Sequence, residues 1–436
     1  MNFSKYNKTF HVGGKLYIYN LLSTALVGVD ELVENAISLQ DTSILPAQYI
    51  ADLASMNFII DDETEEEYEY RYFYDSLRFS KGCGTFSLTF VPTYGCNLCC
   101  PYCMQGKSKP NQIISAKSLQ SLLLFIDKYI AKSYDINSMP INQLYFSLFG
   151  GEPLMAKEEI KTFCDETMKI ANKYNCQVDY SMTSNFTLID DDVLQMIQKF
   201  GITTQVSIDG NKNLHDKSRV HKDGRGTFNT IIENLKKMKV LGLEDKIVIR
   251  INVTNKNIEE CKDVYKDLLP YSNDIYFGFV DNFKDKNDSY TNCIEHKNYS
   301  ETLSKEIYTL EEQYGRIPPR AFGKKSPCSM ITENRYMVDP DLDLYKCEIL
   351  LGRKEYRVGH ILPNGEATLF PAFYKQMGFS PFNYSKCVKC DLLPLCAGGC
   401  GARTFISNSD SPFCEMTEED LRTYLTDYVH RKLSCG

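Results

Sequence analysis

The sequence predicts an α/β protein, a partial (β/α)6 barrel with a winged-helix-like segment before it and a cysteine-rich segment after it. Three observations predict this. From Phe86 onward, short β-rich runs alternate with longer runs of helical period; residues 1–78 follow another pattern; and from Cys328 periodicity gives way to closely spaced cysteines. Strand and helix in alternation form parallel βαβ units.

The expected strands are 86–91, 144–149, 178–183, 203–208, 246–253 and 275–280, and the expected helices 116–132, 157–174, 190–200, 227–241 and 258–268. Six units are too few for an eight-stranded barrel but suit a partial one. In a parallel barrel the loops after the strands form one mouth, where active sites sit. Cys96 follows the first strand, Gly150 and Gly151 the second, Ser184 and Asn185 the third, and Asp209 and Gly210 the fourth. Four loops therefore converge on one face.

Residues 1–78 show a Gly13-Gly14 turn between two β runs, helices near 29–39 and 46–56, and a strand at 58–61. The acidic run 61–67 is expected to be a solvated connector leading into a joining helix. The expected segments are 1–78, a barrel over 79–282, a linking helical region over 283–327, and a cysteine-rich domain over 328–436, the last held by metal more than by core.

Composition bounds the function. With 436 residues, 43% hydrophobic and 24% charged, the chain can bury a substantial core. It shows neither a secretory signal nor an apolar stretch of the roughly 20 residues that cross a bilayer, so a cytoplasmic location without membrane association is expected. Seventeen cysteines in a reducing compartment point to metal or redox chemistry rather than disulfides. The net charge of -8 is all carried by residues 1–78, with 5 Lys+Arg against 13 Asp+Glu. That is the opposite of a nucleic-acid-binding surface, and it weighs against an iron-sulfur sensor that binds DNA.

The first cysteine motif is Cys96-x3-Cys100-x2-Cys103, three thiolates on one short loop with Tyr102 just before the last. Spacing alone suits iron-sulfur, and zinc as well. Placed after the first strand of a parallel barrel, the motif resembles the radical S-adenosylmethionine superfamily. That resemblance implies a 4Fe-4S cube with one iron lacking a protein thiolate, where S-adenosylmethionine binds and is split to a 5′-deoxyadenosyl radical. Cys99 is read as a bystander.

Further residues carry the same resemblance. Gly150, Gly151, Glu152 and Pro153 match the family's Gly-Gly-Glu-Pro element, implying contact with the cofactor's amino group. Ser207, Asp209, Gly210, His215, Asp216 and Arg219 match a second stretch, in which Ser207 and Arg219 would hold the cofactor's carboxylate. His215 and Asp216 read as structural. Ser184 and Asn185 stand where the family reads Thr-Asn-Gly, and would contact the ribose or methionine end; Phe186 replaces the glycine.

The second block, Cys387-x2-Cys390-x5-Cys396-x3-Cys400 with Cys414, Cys328 and Cys347, has a zinc ribbon as its simplest alternative. It resembles the SPASM extension of radical enzymes. By that resemblance Cys387, Cys390, Cys396 and Cys414 would ligate one auxiliary 4Fe-4S cluster, and Cys328, Cys347 and Cys400 a second, completed by a residue such as Cys293 or left with an open iron. Leu342 stands where the family has glycine. Glu348, after Cys347, is the candidate base, since sulfatase-maturating relatives carry an Asp there.

SPASM enzymes act on peptides, and residues 1–78 resemble in pattern the domain by which maturases hold a precursor's leader. The function expected is a maturase that installs a crosslink, a thioether above all, in a ribosomally made precursor, fed by a low-potential electron donor. The rival enzyme reading is an anaerobic sulfatase-maturating oxidase that makes formylglycine.

Overall fold

The computed structural model describes residues 1–79, 84–105, 111–135, 140–280, 310, 327–407, 412–414 and 417–434. Cys83, Cys293, Cys435 and the linking region over 283–326, save Leu310, lie outside the described residues. Among the described residues no helix is long and apolar enough to cross a membrane. The chain forms two compact units that cut across the expected segments: Met1–Phe79, Glu295–Ile331 and Gly378–Gly436 make one, Ser80–Ile294 and Thr332–Met377 the other.

In the first unit, β1 (Asn2–Phe3) pairs with β5 (Ile59–Ile60), while β2 (Asn7–Val12), β3 (Lys15–Asn20) and β4 (Leu26–Gly28) form an antiparallel sheet. Gly13 and Gly14 both take positive φ, 59° and 79°, as a two-residue hairpin turn demands. Helices α1 (Glu31–Leu39) and α2 (Ala47–Ser55) cover the sheet through Val33, Ala36 and Leu53.

The acidic run is largely solvated, with residues 61–65 exposed, and it leads into a helix as expected, but its end is not. It forms the first turn of α3 (Glu63–Arg78), capped by Asp62, whose carboxylate accepts from Thr64 N and Glu65 N. Acidic residues favour a helix N-terminus because the unpaired N–H groups there carry partial positive charge. Glu66 turns inward, 5% exposed, and accepts from Ser4 Oγ at 2.5 Å. Tyr70 and Tyr74 then pack with Phe382, Cys387, Leu393 and Ala397, and the Tyr74 hydroxyl donates to Ala397 O at 3.0 Å. The N-terminal segment and the cysteine-rich tail therefore share one apolar core.

In the second unit the six expected strands are all present. They are β6 (Thr85–Phe90), β7 (Gln143–Leu148), β8 (Gln177–Ser184), β9 (Thr203–Ile208), β10 (Ile247–Val253) and β11 (Asp274–Phe279), parallel and in sequential order. Helices α4 (Ala116–Asp135), α5 (Lys157–Lys173), α6 (Asp191–Phe200), α7 (Lys212–Ser218), α8 (Phe228–Val240) and α9 (Ile258–Leu268) fill the connections. Phe86, Leu88 and Phe90 of β6 are buried, with Phe90 stacked on Phe163 of α5 at 4.5 Å, while Ser87 and Thr89 between them stay half-buried. Alternate residues of a strand point to opposite faces, so one face packs on helices and the other lines the barrel.

The sheet runs on past the expected barrel. Strand β12 (Arg335–Val338) pairs parallel to β6, and β13 (Asp343–Tyr345), β14 (Gly359–Ile361) and β15 (Ala367–Leu369) follow antiparallel, ten strands in all. Strands of three or four residues give too short a run for periodicity to reveal. Leu342, in the β12–β13 turn, adopts the left-handed φ of 65° that a glycine would supply.

Candidate active site

The loop after β6 is fixed before it reaches its cysteines. Thr93 Oγ1 accepts from Gly95 N and donates to Gln112 O, both at 2.9 Å. Gly151 N and Glu152 N donate to Thr93 O and Gly95 O at 3.1 and 2.8 Å. A Cβ on Gly150 would lie 2.3 Å from Thr93 O, and one on Gly151 2.2 Å from Gly95 O, so only glycine lets the end of β7 approach this backbone.

Glu152 is fully buried and does not line the cavity. Its carboxylate accepts from Asn185 N at 2.7 Å, Ser184 Oγ at 2.8 Å and Leu154 N at 3.1 Å, tying the end of β8 to that of β7. Burial raises it to about 7, against the pull of these donors. Phe186, in the family's glycine position, is wholly buried at φ 61°, so the left-handed turn is kept with an aromatic side chain in it. Asn185 Nδ2 donates to Asn97 Oδ1 at 2.8 Å, reaching back into the cysteine loop.

A polar knot closes the other side. The Tyr102 hydroxyl donates to Asp209 Oδ2 at 2.5 Å and accepts from Arg219 Nη1 at 3.0 Å, and Asn252 Nδ2 donates to Asp209 Oδ1 at 2.9 Å. Arg219 Nε is buried without a hydrogen-bond partner. His215, depressed to about 3 by burial and by Arg219, is neutral. Its Nδ1 accepts from Asp209 N at 3.3 Å while Nε2 meets Thr227 Oγ1 at 3.0 Å. Asp216 accepts from Thr227 N and Phe228 N at the start of α8, so both residues brace the backbone behind Arg219.

These elements enclose a cavity of about 530 Å³ lined by Cys96, Cys100, Cys103 and Tyr102, with Gly150, Gly151, Ser184, Asn185, Ser207, Arg219 and Glu348. Pro153, buried, and Asp209 stand behind its wall. The Gln105 side chain donates to Glu348 O at 3.4 Å. The sequence reading missed the wall made by the strands themselves: Thr89, Ser147, Thr183, Gln205, Arg250 and Tyr276. Its signal was there, in polar residues two apart within apolar strands, as in Arg250 and Asn252 of Ile-Val-Ile-Arg-Ile-Asn-Val.

The donor set fits the group its motif implies. Burial pushes Cys100 up to about 12, and the nearby Cys103 and Cys96 add to the rise; burial also raises Cys96, with Cys103 adding to it. Such a thiol ionises only when a cation replaces its proton, as a coordinating iron does. Arg219 lines the cavity with its Nη1 held by Tyr102, and its guanidinium charge suits a ligand carboxylate.

In the first unit, burial raises Cys387 to about 11, and Cys396, Cys414 and Cys390 add to the rise, so the four cysteines assigned to one auxiliary cluster lie together. Ala397, Gly398 and Gly399, all left-handed, turn the chain between Cys396 and Cys400, and a Cβ on Gly399 would lie 1.8 Å from Phe413 O, beside Cys414. Cys328 and Cys400 belong to this unit and Cys347 to the other. Among the described residues no three such side chains are set for a single metal ion. A four-iron cube asks for wider spacing, because each thiolate holds a different iron.

Residues 90–268 match the family model of the Radical SAM superfamily. The cysteine-type anaerobic sulfatase-maturating enzyme of Clostridium novyi is 25% identical over 346 residues, 73% of this chain and 90% of that protein. Among solved structures, native anSMEcpe with bound AdoMet and the Cp18Cys peptide superposes with a TM-score of 0.62 at 21% identity, covering 79% of this chain and 97% of its own. Streptococcus suis SuiB bound to its precursor peptide SuiA gives 0.55 at 14% identity, covering 95% and 98%. At these identities the superpositions speak to the fold.

Proposed function

We propose that this chain, a radical S-adenosylmethionine enzyme related to the anaerobic sulfatase-maturating enzymes and to SuiB-type peptide maturases, installs a thioether crosslink in a ribosomally made precursor peptide. The observation that carries the choice of substrate is coverage. The SuiB fold accounts for 95% of the chain, whereas anSMEcpe leaves about a fifth of it unmatched. The chain thus shares with SuiB a stretch of fold that anSMEcpe does not cover, which favours a maturase.

Cys96, Cys100 and Cys103 would hold a 4Fe-4S cluster with one open iron. With S-adenosylmethionine bound, that cluster supplies a radical able to take hydrogen from an unactivated carbon. Ser207 and Arg219 line the cavity and would be partners for the cofactor's carboxylate, with the Arg219 guanidinium held by the Tyr102 hydroxyl. The amino group falls to the backbone at Gly150 and Gly151, which Glu152 fixes, and Asn185 is placed for the ribose or methionine end. Glu348 is the candidate base that would take a thiol proton from the substrate.

Cys387, Cys390, Cys396 and Cys414 would hold an auxiliary cluster, and an open iron of a second could bind the substrate thiolate. The leader would add as a strand at an edge of the β2–β3–β4 sheet. A cytoplasmic setting suits the thiols, and a low-potential donor would supply the electron.

The test is anaerobic turnover of reconstituted enzyme with reductant, S-adenosylmethionine and a cysteine-bearing precursor encoded beside it. A product lighter by two hydrogens, with its cysteine blocked, is expected; unchanged mass defeats the crosslink. The formylglycine reading draws on the similarity to the Clostridium novyi enzyme. It would be favoured by conversion of a sulfatase-motif cysteine to an aldehyde under the same conditions.

A further inference from the structure

We propose that Arg250 is a carboxylate-binding residue of the cavity and receives an acidic side chain of the substrate peptide, an inference that rests on the peptide-modifying reading above. Arg250 lies in β10 between Ser207 of β9 and Tyr276 of β11 in register, and it lines the cavity. Its Nε donates to Asn252 Oδ1 at 2.9 Å and its Nη2 reaches Phe279 O only at 3.5 Å. No carboxylate among the described residues forms an ion pair with it. Asp209, which feels its charge, is taken up by Tyr102, Asn252 and Arg219.

The neighbouring strand is cut to admit this cation. A Cβ on Gly278 would lie 2.5 Å from Arg250 Nε and 2.8 Å from its Cζ, so any other residue there would displace the guanidinium. Tyr276, on the same strand, is held aside by its hydroxyl donating to Gln205 Oε1 at 2.6 Å. A partly enclosed cation with no ion-pair partner among the described residues is costly to keep. The guanidinium fork matches a carboxylate's two oxygens, which would supply the missing charge.

Two carboxylates can enter the cavity, one on S-adenosylmethionine and one on the peptide. Ser207 and Arg219, which also line the cavity, would provide for the first, which leaves Arg250 for the second.

The probes are N-acetyl-aspartate N-methylamide and its asparagine counterpart, with binding measured by equilibrium dialysis to cluster-loaded enzyme saturated with S-adenosylmethionine. The aspartyl probe is expected to bind the wild type at least about tenfold more tightly, the effect of one charge-assisted pair. Arg250→Met should abolish that preference, Arg250→Lys keep part of it, and Gly278→Ala, which shifts the guanidinium without removing its charge, reduce it. Absence of any preference in the wild type overturns the proposal even if no variant folds. So does a fall in S-adenosylmethionine affinity in Arg250→Met equal to the loss of probe binding, since the carboxylate would then be the cofactor's. Failure of the enzyme reading shows separately, as wild-type protein that releases no 5′-deoxyadenosine with reductant.

Discussion

The Tyr94 hydroxyl donates to Asp339 Oδ2 at 3.0 Å, joining the loop that carries Cys96 to the hairpin of β12 and β13 that leads to Cys347. The other oxygen of Asp339 accepts from Asp341 N at 3.0 Å and Asp343 N at 2.9 Å, closing the turn in which Leu342 is left-handed. One buried carboxyl thus sets the hairpin and anchors the cysteine loop.

Burial raises Asp339 to about 6, well above the usual aspartate range of about 4. The folded state therefore holds this proton through a window in which the unfolded chain has lost it, and the group's contribution to stability falls as pH rises from about 4 to about 6. The full effect is of order 2–3 kcal/mol. Urea denaturation of wild type and Asp339→Asn should give curves whose difference changes across that window and levels above it; a pH-independent difference would refute the assignment.

Tyr102→Phe removes the hydroxyl that Arg219 donates to and that donates to Asp209. Arg219 and Asp209 lose a hydrogen bond, as does Asn252, whose Nδ2 donates to the same hydroxyl at 3.4 Å, a cost of about 1–3 kcal/mol. S-adenosylmethionine affinity should fall about tenfold or more with the cluster content unchanged, read by dialysis and iron analysis. Unaltered affinity would show that the knot does not position Arg219.

Cys100→Ala should abolish release of 5′-deoxyadenosine. Cys396→Ala should lose the iron of one cluster and impair product formation more than cofactor cleavage, provided that the fold survives. Equal loss of both activities in the two variants would defeat the separation of duties.

Phe186→Gly restores the glycine that the superfamily motif has at this place, yet it should destabilise. Relief of left-handed backbone is worth about 1–2 kcal/mol. Deleting a wholly buried phenylalanine costs about 3–5 kcal/mol. A lower melting temperature is expected, and a higher one would mean that the backbone term dominates.

The six barrel strands were legible because each is six or more residues long and bounded by turns, and the cysteine loop because its spacing is set by the chemistry of the cube. The joining helix α3 was legible, but not that Tyr70 and Tyr74 bury one of its faces against Phe382 and Leu393, residues far along the chain. Strands β12 to β15 were too short to announce themselves.

By itself, then, the sequence determined the positions of the six barrel strands, the thiolate motifs and the loops that follow the strands, because local periodicity and fixed ligand spacing are properties of neighbours in the chain. Only the tertiary structure decided that Glu152 faces away from the cavity, that Arg250 faces into it, and that the first and last segments share one core. Those facts depend on which strands pair and on what must be buried, and both are settled by contacts between residues far apart in the chain.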